Sequence, residues 1–435
     1  MVATASCSNE LDDTLQPVNN GNLQFVVSDF PMFGEGIQTR AIGTEDPGKT
    51  AWEKDDQIII TLTSKKYGTQ SAAITYDGAN WGTEVSLSYL ENETPTVSAV
   101  YAPCYEVTVE GVKQLRSGMQ LGMCEYLEAD CEIQNGTINI SFADALRTYS
   151  RLRIAGLENQ TLTVTTTDFT PAGATSVATE PYTLTTDEKG NTYLYGTFTE
   201  GATVKVKKGD VTLTDYTFTF TTELIQSYAL DATPVIDGTL GGKATAEESD
   251  ITALVEQLKA YVDNGITTII VPGSEPALIE MDSWTNTAIG EAIYRLSGSD
   301  DYDENNPYNG KIDLILQDVT EIVDQEFYSA WALNSITLPK VIKIGDEAFH
   351  RTWFLKTITF ESVLTEVNET GGVMFAQVGK EVDGCNLFIN CGQMKENSVP
   401  TPDLTTNTWK FKFENEFKSI TLTHTGACDE CKANQ

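Results

Sequence analysis

The sequence predicts a mainly β protein: an antiparallel β-sandwich followed by a short α/β solenoid of stacked coils. Three observations carry this. From Leu23 to about Thr222, apolar and polar residues alternate with period two, broken by turn signals such as "YDGANWG" and "DEKGN". Further on, "VTEIVDQEFYSAWALNSITL" (from Val319) and "VIKIGDEAFHRTWFLKTITF" (from Val341) write one apolar skeleton twice, in a step of 341 − 319 = 22. The chain also has 435 residues, 40% of them hydrophobic, which is more than one ordinary core holds.

The chain opens "MVATASCSNELDD". Small residues precede Cys7, as at a signal cleavage site. Thr4-Ala5-Ser6-Cys7 resembles a bacterial lipobox, in which the cysteine is lipidated and becomes the new N-terminus. The acidic Glu10, Asp12 and Asp13 resemble the signal that sends such lipoproteins to the outer face of Bacteroides-like Gram-negative bacteria. These resemblances imply lipidation at Cys7 and an outer-membrane, cell-surface location. A secretion signal needs an apolar stretch of roughly 7–15 residues, so the true start is expected upstream of Met1. The competing reading of Cys7 is a free thiol in a frayed terminus. Residues 1–22 are taken as signal remnant and tether.

Residues 23–225 form the expected β domain. "YTFTFT" sets Tyr216, Phe218 and Phe220 on one face, "TINISF" does so with Ile138, Ile140 and Phe142, and "VSLSY" with Val85, Leu87 and Tyr89. Further strands are expected at Ile58–Leu62, Val97–Tyr101, Leu152–Ile154, Leu162–Val164, Tyr193–Tyr195 and Val204–Val206. One apolar face, one polar face and short connections argue for antiparallel sheets in a sandwich. "QTRAIGTEDPGKTAWEKDDQIIITL", with Thr39, Arg40, Ala41, Trp52, Asp55, Asp56 and Ile58, resembles the opening of fimbrillin-like domains of Bacteroides-type pili, and "ISFADALRTYSRLRIAG" resembles a later strand and turn of that family. The resemblance implies a role for Arg40. In polymerising members an Arg-specific protease cuts near this point, removes the first strand, and opens a groove for a strand of the next subunit. The alternative is an exposed loop arginine.

Residues 226–425 form the second expected domain. Ile251, Leu254, Val255, Leu258 and Val262 fall on one face of a helix over Ser249–Asp263. Thr245 and Glu248 are spaced as a capping box, and Asn264-Gly265 stops the helix. "ITTIIV" follows as a strand, and Ile289, Ile293 and Leu296 mark a second helix. Then "KIDLILQ", "NSITLP", "KTITF", "CNLFIN" and "KSITLTH" read as short strands. A fixed period in the twenties means coils that each bury a face against the next, with Phe327 and Phe349 in one slot of adjacent coils. The pattern "IGDEAF…LKTITF" resembles the BspA-like class of leucine-rich repeats of bacterial surfaces. Val363 keeps the step, but "NETGGV" breaks it, so an insertion is expected near Gly371. Residues 426–435 are the tail. Its "CDEC" is expected to staple to Cys385 or Cys391 if the compartment oxidises, and otherwise to stay reduced. After Cys7 seven cysteines remain, an odd number.

Composition excludes some functions. Sixty-three acids against 28 bases give a net charge of −35, which repels phosphate backbones, so nucleic acid is not an expected partner. Two histidines leave little for Ser-His, Cys-His or His-metal chemistry. No P-loop, H-E-x-x-H, G-x-S-x-G or dinucleotide fingerprint occurs. No cofactor and no metal site is expected. Asp301, Asp303 and Asn305 alternate like the start of a calcium loop, but Asn306 and Ile312 replace its Gly and Glu, and a solvated acidic loop is the default. Tyr328, Trp331, Arg351 and Trp353 lie one coil apart, and either form a contact patch for protein or glycan or pack between coils. The sequence therefore reads as a non-enzymatic, lipid-anchored surface protein, an adhesin or an accessory or tip pilus subunit. Its expected partners are protein or glycan on host or neighbouring cells and other pilus subunits, with membrane contact through the lipid only. The alternative is a glycan-binding lipoprotein of a polysaccharide uptake system.

Overall fold

A computed structural model describes residues 17–19, 23–35, 48–108, 112–142, 147–279, 283–299, 301–367, 374–390, 402–403, 408–409 and 417–423. Cys7, Arg40, Gly371, Cys391, Cys428 and Cys431 lie outside them. The chain divides into two compact units. The first is Met1–Lys207 with Thr214–Ala232, and the second is Lys208–Leu213 with Thr233–Gln435. The expected division at residue 225 falls one strand too early. Gln226–Asp231 pairs in parallel with Ser150–Ala155, so its backbone bonds hold it in the first unit.

The first unit is built of largely antiparallel sheets. A seven-stranded sheet runs in the order Gln24–Val27, Thr137–Ser141, Leu127–Gln134, Thr96–Tyr101, Gln57–Ser64, Gly68–Tyr76, Trp81–Gly82. Its fifth strand, "QIIITLTS", buries isoleucines on both faces but keeps Gln57 and Thr63 exposed on the second. Ile58, Ile60 and Leu62 join a core with Ile74, Tyr101 and Ile138, while Ile59 packs behind with Val100 and Ala102. A five-stranded sheet orders Phe169–Pro171, Asn191–Phe198, Ser150–Ala155, Gln226–Asp231, Gly34–Glu35, and a four-stranded sheet orders Tyr182–Thr185, Thr161–Thr166, Thr203–Lys208, Val211–Thr217. Phe169 and Phe198 stack at 4.3 Å, and Phe198 and Phe218 at 4.6 Å, so the aromatic side chains of these strands fill one interior.

Three local expectations change. The first unit is not wholly antiparallel: Gln24–Val27 pairs in parallel with Thr137–Ser141, and Gly34–Glu35 with Gln226–Asp231. "YTFTFT" keeps its alternation of burial but leaves the sheet after Thr217, and "VSLSY" forms a strand only at Ser88–Leu90, with Val85 exposed. The structure also joins Cys104 to Cys124 and leaves Cys385 a buried free thiol; the alternative staple at Cys391 lies outside the described residues.

The second unit is a parallel ladder. Six strands stack in the order Thr268–Val271, Ile312–Leu316, Leu333–Leu338, Thr357–Phe360, Cys385–Asn390, Phe417–Thr423. Ile336 sits opposite Ile358. A second parallel ladder joins Glu321–Ile322, Lys343–Ile344 and Glu366–Val367. Phe327, Phe349 and Phe375 form a column with centroids 5.6 and 5.5 Å apart. The step is 22 from Ile322 to Ile344, then 367 − 344 = 23, 375 − 349 = 26 and 387 − 358 = 29. One extra residue thus enters between Ile358 and Val367, three between Val367 and Phe375 and three between Phe375 and Leu387, while the expected point near Gly371 lies outside the described residues. At the step of 23, Leu364 is buried in place of Val363, which is exposed.

The first helix spans Glu248–Asp263, and the second Ala288–Leu296. The cap of the first is shifted from the expectation. Thr245 is in a short strand, and the Asp250 carboxylate accepts the Glu247 N–H at 3.0 Å. Gly265 follows the helix at φ +70°, a conformation that favours glycine.

The column yields a test. Phe349 is fully buried between two rings, so truncation leaves a cavity that neither neighbour can fill. Phe349→Ala is expected to lower unfolding free energy by about 3–5 kcal/mol in urea titration of the second unit's transition.

Candidate functional site

The four patch residues named from sequence come together, but not as a surface. Trp331 and Trp353 stack at 5.1 Å and 24°, and are 1% and 8% exposed. Tyr328 is equally buried, and only Arg351 is partly open. The reason is the spacing between coils: a ring on one turn fills the gap to the same ring on the next. Both indole N–H groups are used inward. Trp331 donates to the Arg351 carbonyl at 2.9 Å, and Trp353 to Gln377 Oε1 at 3.2 Å.

Two aromatic residues that the sequence reading passed over cover this stack and reach solvent. Trp284, 47% exposed, lies flat on Tyr328 at 5.3 Å and 18°. Tyr302, 37% exposed, stands edge-on to Trp331 at 5.1 Å and to Trp353 at 4.9 Å. Arg351 touches the buried members of the stack. Its Nη1 reaches the Tyr328 hydroxyl at 3.5 Å, and its guanidinium is 5.4 Å from the Trp353 centroid. The half-exposed Lys380 ammonium sits 4.3 Å from the same centroid, a cation–π distance. Acids border this edge. Desolvation, then Glu381, Glu304 and Asp303, raises the Tyr302 hydroxyl above its usual pKa. The result is a rim of two exposed aromatic rings and two cations on a rigid buried base, with carboxylates at one side. A single aromatic residue in a polar loop, as in "DSWTN" and "DDYDE", was the available signal.

The acidic loop itself is closed on local bonds. Asp303 Oδ1 accepts the Asn305 N–H at 2.8 Å, and the Asp303 carbonyl accepts Asn309 Nδ2 at 2.9 Å. Among the described residues no group of three or more His, Cys, Asp or Glu is arranged to hold a metal.

A polar cluster lies beneath the second helix. Glu326 occupies the slot that Ala348 fills one coil later (326 + 22 = 348), and is fully buried. Its Oε2 accepts the Val323 N–H at 3.1 Å, and Oε1 lies 3.4 Å from the Thr287 hydroxyl. Thr287 caps the helix by accepting the Gly290 N–H. Gly290 has no room for a Cβ, which would run into the Glu326 carbonyl. Burial pushes the Glu326 carboxyl up to about 8, opposed by its hydrogen bonds with Val323 and Thr287 and aided by the Glu321 charge. The folded state therefore holds a proton there that the unfolded state has released above pH about 4.5. Stability from this group is present at low pH and lost as pH rises through about 8. Between pH 5 and 8 the wild type is expected to lose stability steadily relative to Glu326→Gln, read from paired urea titrations.

No family model matches the chain, and no curated protein matches it. Among solved structures it is similar to one from Bacteroides fragilis described as a cell adhesion protein. Identity is 12% and the TM-score 0.23, over 48% of this chain and 92% of that one. It is also similar to the shaft pilin SpaA of Lactobacillus rhamnosus GG, in a mutant form, with 15% identity and a TM-score of 0.18 over 51% of this chain and 98% of that one. Overlaps of this size leave the fold to be read from the strands themselves. Among the described residues no helix is long and apolar enough to cross a membrane.

Proposed function

We propose that the protein is a lipid-anchored adhesin or accessory pilus subunit of a bacterial outer surface, and that its work is binding and not catalysis. In this reading the first unit is a fimbrillin-like domain and the second a BspA-like leucine-rich-repeat solenoid. The observation that carries the proposal is the rim of the second unit. Trp284 and Tyr302 are held on the buried Tyr328–Trp331–Trp353 stack, with Arg351 and Lys380 beside them. Rigid aromatic anchors with adjacent cations are the composition of a binding hot spot, because little entropy is lost when they are covered. The Cys104–Cys124 bond suits an oxidising location outside the cytoplasm.

Strand exchange in the first unit is the second part. The edge strands Gln24–Val27 and Gly34–Glu35 both precede Arg40. A cut after Arg40 would separate both from the rest of the chain and expose two sheet edges for strands of another subunit. Intact mass of protein taken from the native membrane is expected to show two species, an uncut form acylated at Cys7 and, in assembled material, a chain that begins after Arg40 and has lost Cys7. An unmodified Cys7 removes the anchor, and an unbroken chain in assembled material removes the exchange.

A glycan-binding lipoprotein of a polysaccharide uptake system is the second reading, favoured by the exposure of Trp284. Beads coated with the full chain test both. Trp284→Ala with Tyr302→Ala is expected to cut adherence to host or bacterial cells at least about tenfold, the effect of losing one aromatic anchor, without moving the unfolding midpoint. Unchanged adherence would sink the rim as a binding site. Loss confined to a glycan array would favour the uptake reading.

A further inference from the structure

The first unit carries an open cavity of about 300 Å3, at the small end for ligand sites. Its walls include Tyr101, Tyr193, Tyr195, Glu125, Asn191 and Lys49. Glu125 is 8% exposed, and its three hydrogen bonds all fall on Oε2: from Arg147 Nη2 at 2.6 Å, Arg147 Nε at 3.2 Å and the Tyr149 hydroxyl at 2.9 Å. That leaves Oε1 as an acceptor in the cavity. Tyr101 is 5% exposed and lines the same space, with a hydroxyl that makes no hydrogen bond among the described residues. Burial, then the Asp56 and Glu125 charges, holds its proton on, so it is a donor at any physiological pH.

Charge narrows the ligand. Glu125 is neutralised by Arg147, and the Lys49 ammonium is bound to Asp56 at 2.7 Å. Asp187, also in the wall, spends Oδ1 on the Lys189 and Asn191 N–H groups at 2.9 and 2.8 Å. An isolated anion would therefore find no uncompensated cation, while the Asp187 carboxylate keeps its charge with only backbone N–H groups on it. What remains is the Tyr101 hydroxyl, the Glu125 Oε1 and the Asn191 amide, whose Nδ2 also reaches the Lys189 carbonyl at 3.5 Å, together with the rings of Tyr193 and Tyr195, whose centroids lie 6.2 Å apart. A pyranose matches this pairing, with hydroxyls around its rim and an apolar C–H face for the rings.

We propose that this cavity binds one neutral sugar residue, the terminal unit of a glycan, in a site separate from the rim of the second unit. The test is saturation-transfer-difference NMR and calorimetry on the full chain, with methyl glycosides of glucose, galactose, mannose and N-acetylglucosamine. Choline and acetate serve as charged controls. At least one glycoside is expected to bind in the millimolar range. Tyr101→Phe and Asn191→Ala are each expected to weaken it about tenfold, the loss of one hydrogen bond to a buried partner. Trp284→Ala is expected to leave it unchanged, which separates this site from the adhesive rim. Asn191 is at the cavity wall and only half-buried, so its variant reports even if Tyr101→Phe fails to fold. No transfer from any glycoside, transfer that survives Asn191→Ala, or binding of only a charged control would overturn the proposal.

Discussion

The second unit depends on one constraint: a parallel ladder brings each residue to the same slot one strand spacing away, about 4.8 Å. A side chain that fits one coil must therefore fit against its own counterpart in the next. The phenylalanine column and the stacked Trp331–Trp353 pair follow from this, with centroids 5.1–5.6 Å apart. Polar groups obey the same step. Gln325 donates to Glu347, the Asp346 N–H to Asp324, and Ser335 to Asp313, each across 22 residues. No coil buries its apolar edge alone, so the stability of the ladder belongs to neighbouring pairs.

The same constraint explains where function can enter. An inward slot must pack, and an aromatic residue placed there is consumed by stacking. Exposed aromatic rings come instead from loops outside the repeat, such as those carrying Trp284 and Tyr302, which lie on the buried column and take rigidity from it. Glu326 is the exception that marks the ladder's start. It stands where the next coil has Ala348, and it meets the capped second helix instead of another coil. The first unit follows a different logic. Its sheets hold a buried ion pair, Arg147 with Glu125, whose guanidinium also lies 3.7 Å from the Phe33 ring centroid, so charge is tolerated inside only where it is matched and covered.

The repeat was legible because a step of 22 survives in the apolar residues whatever the loops do, and period-two alternation located most strands of the first unit for the same reason. The candidate site was half legible. The sequence grouped Tyr328, Trp331, Arg351 and Trp353 correctly in space, yet periodicity cannot tell which side of a coil faces solvent. Trp284 and Tyr302 lie outside the period, so only the folded chain brings them to that column.

By itself, then, the sequence determined the two-part organisation, the slot shared by Phe327 and Phe349, and the parallel neighbours Ile336 and Ile358, since these depend on spacing along the chain. Tertiary structure alone decided the parallel edge strands before Arg40, the Cys104–Cys124 pairing, the burial of the tryptophans and the tyrosine-lined cavity. Each joins residues that share no period, and only the folding of the backbone sets their distance.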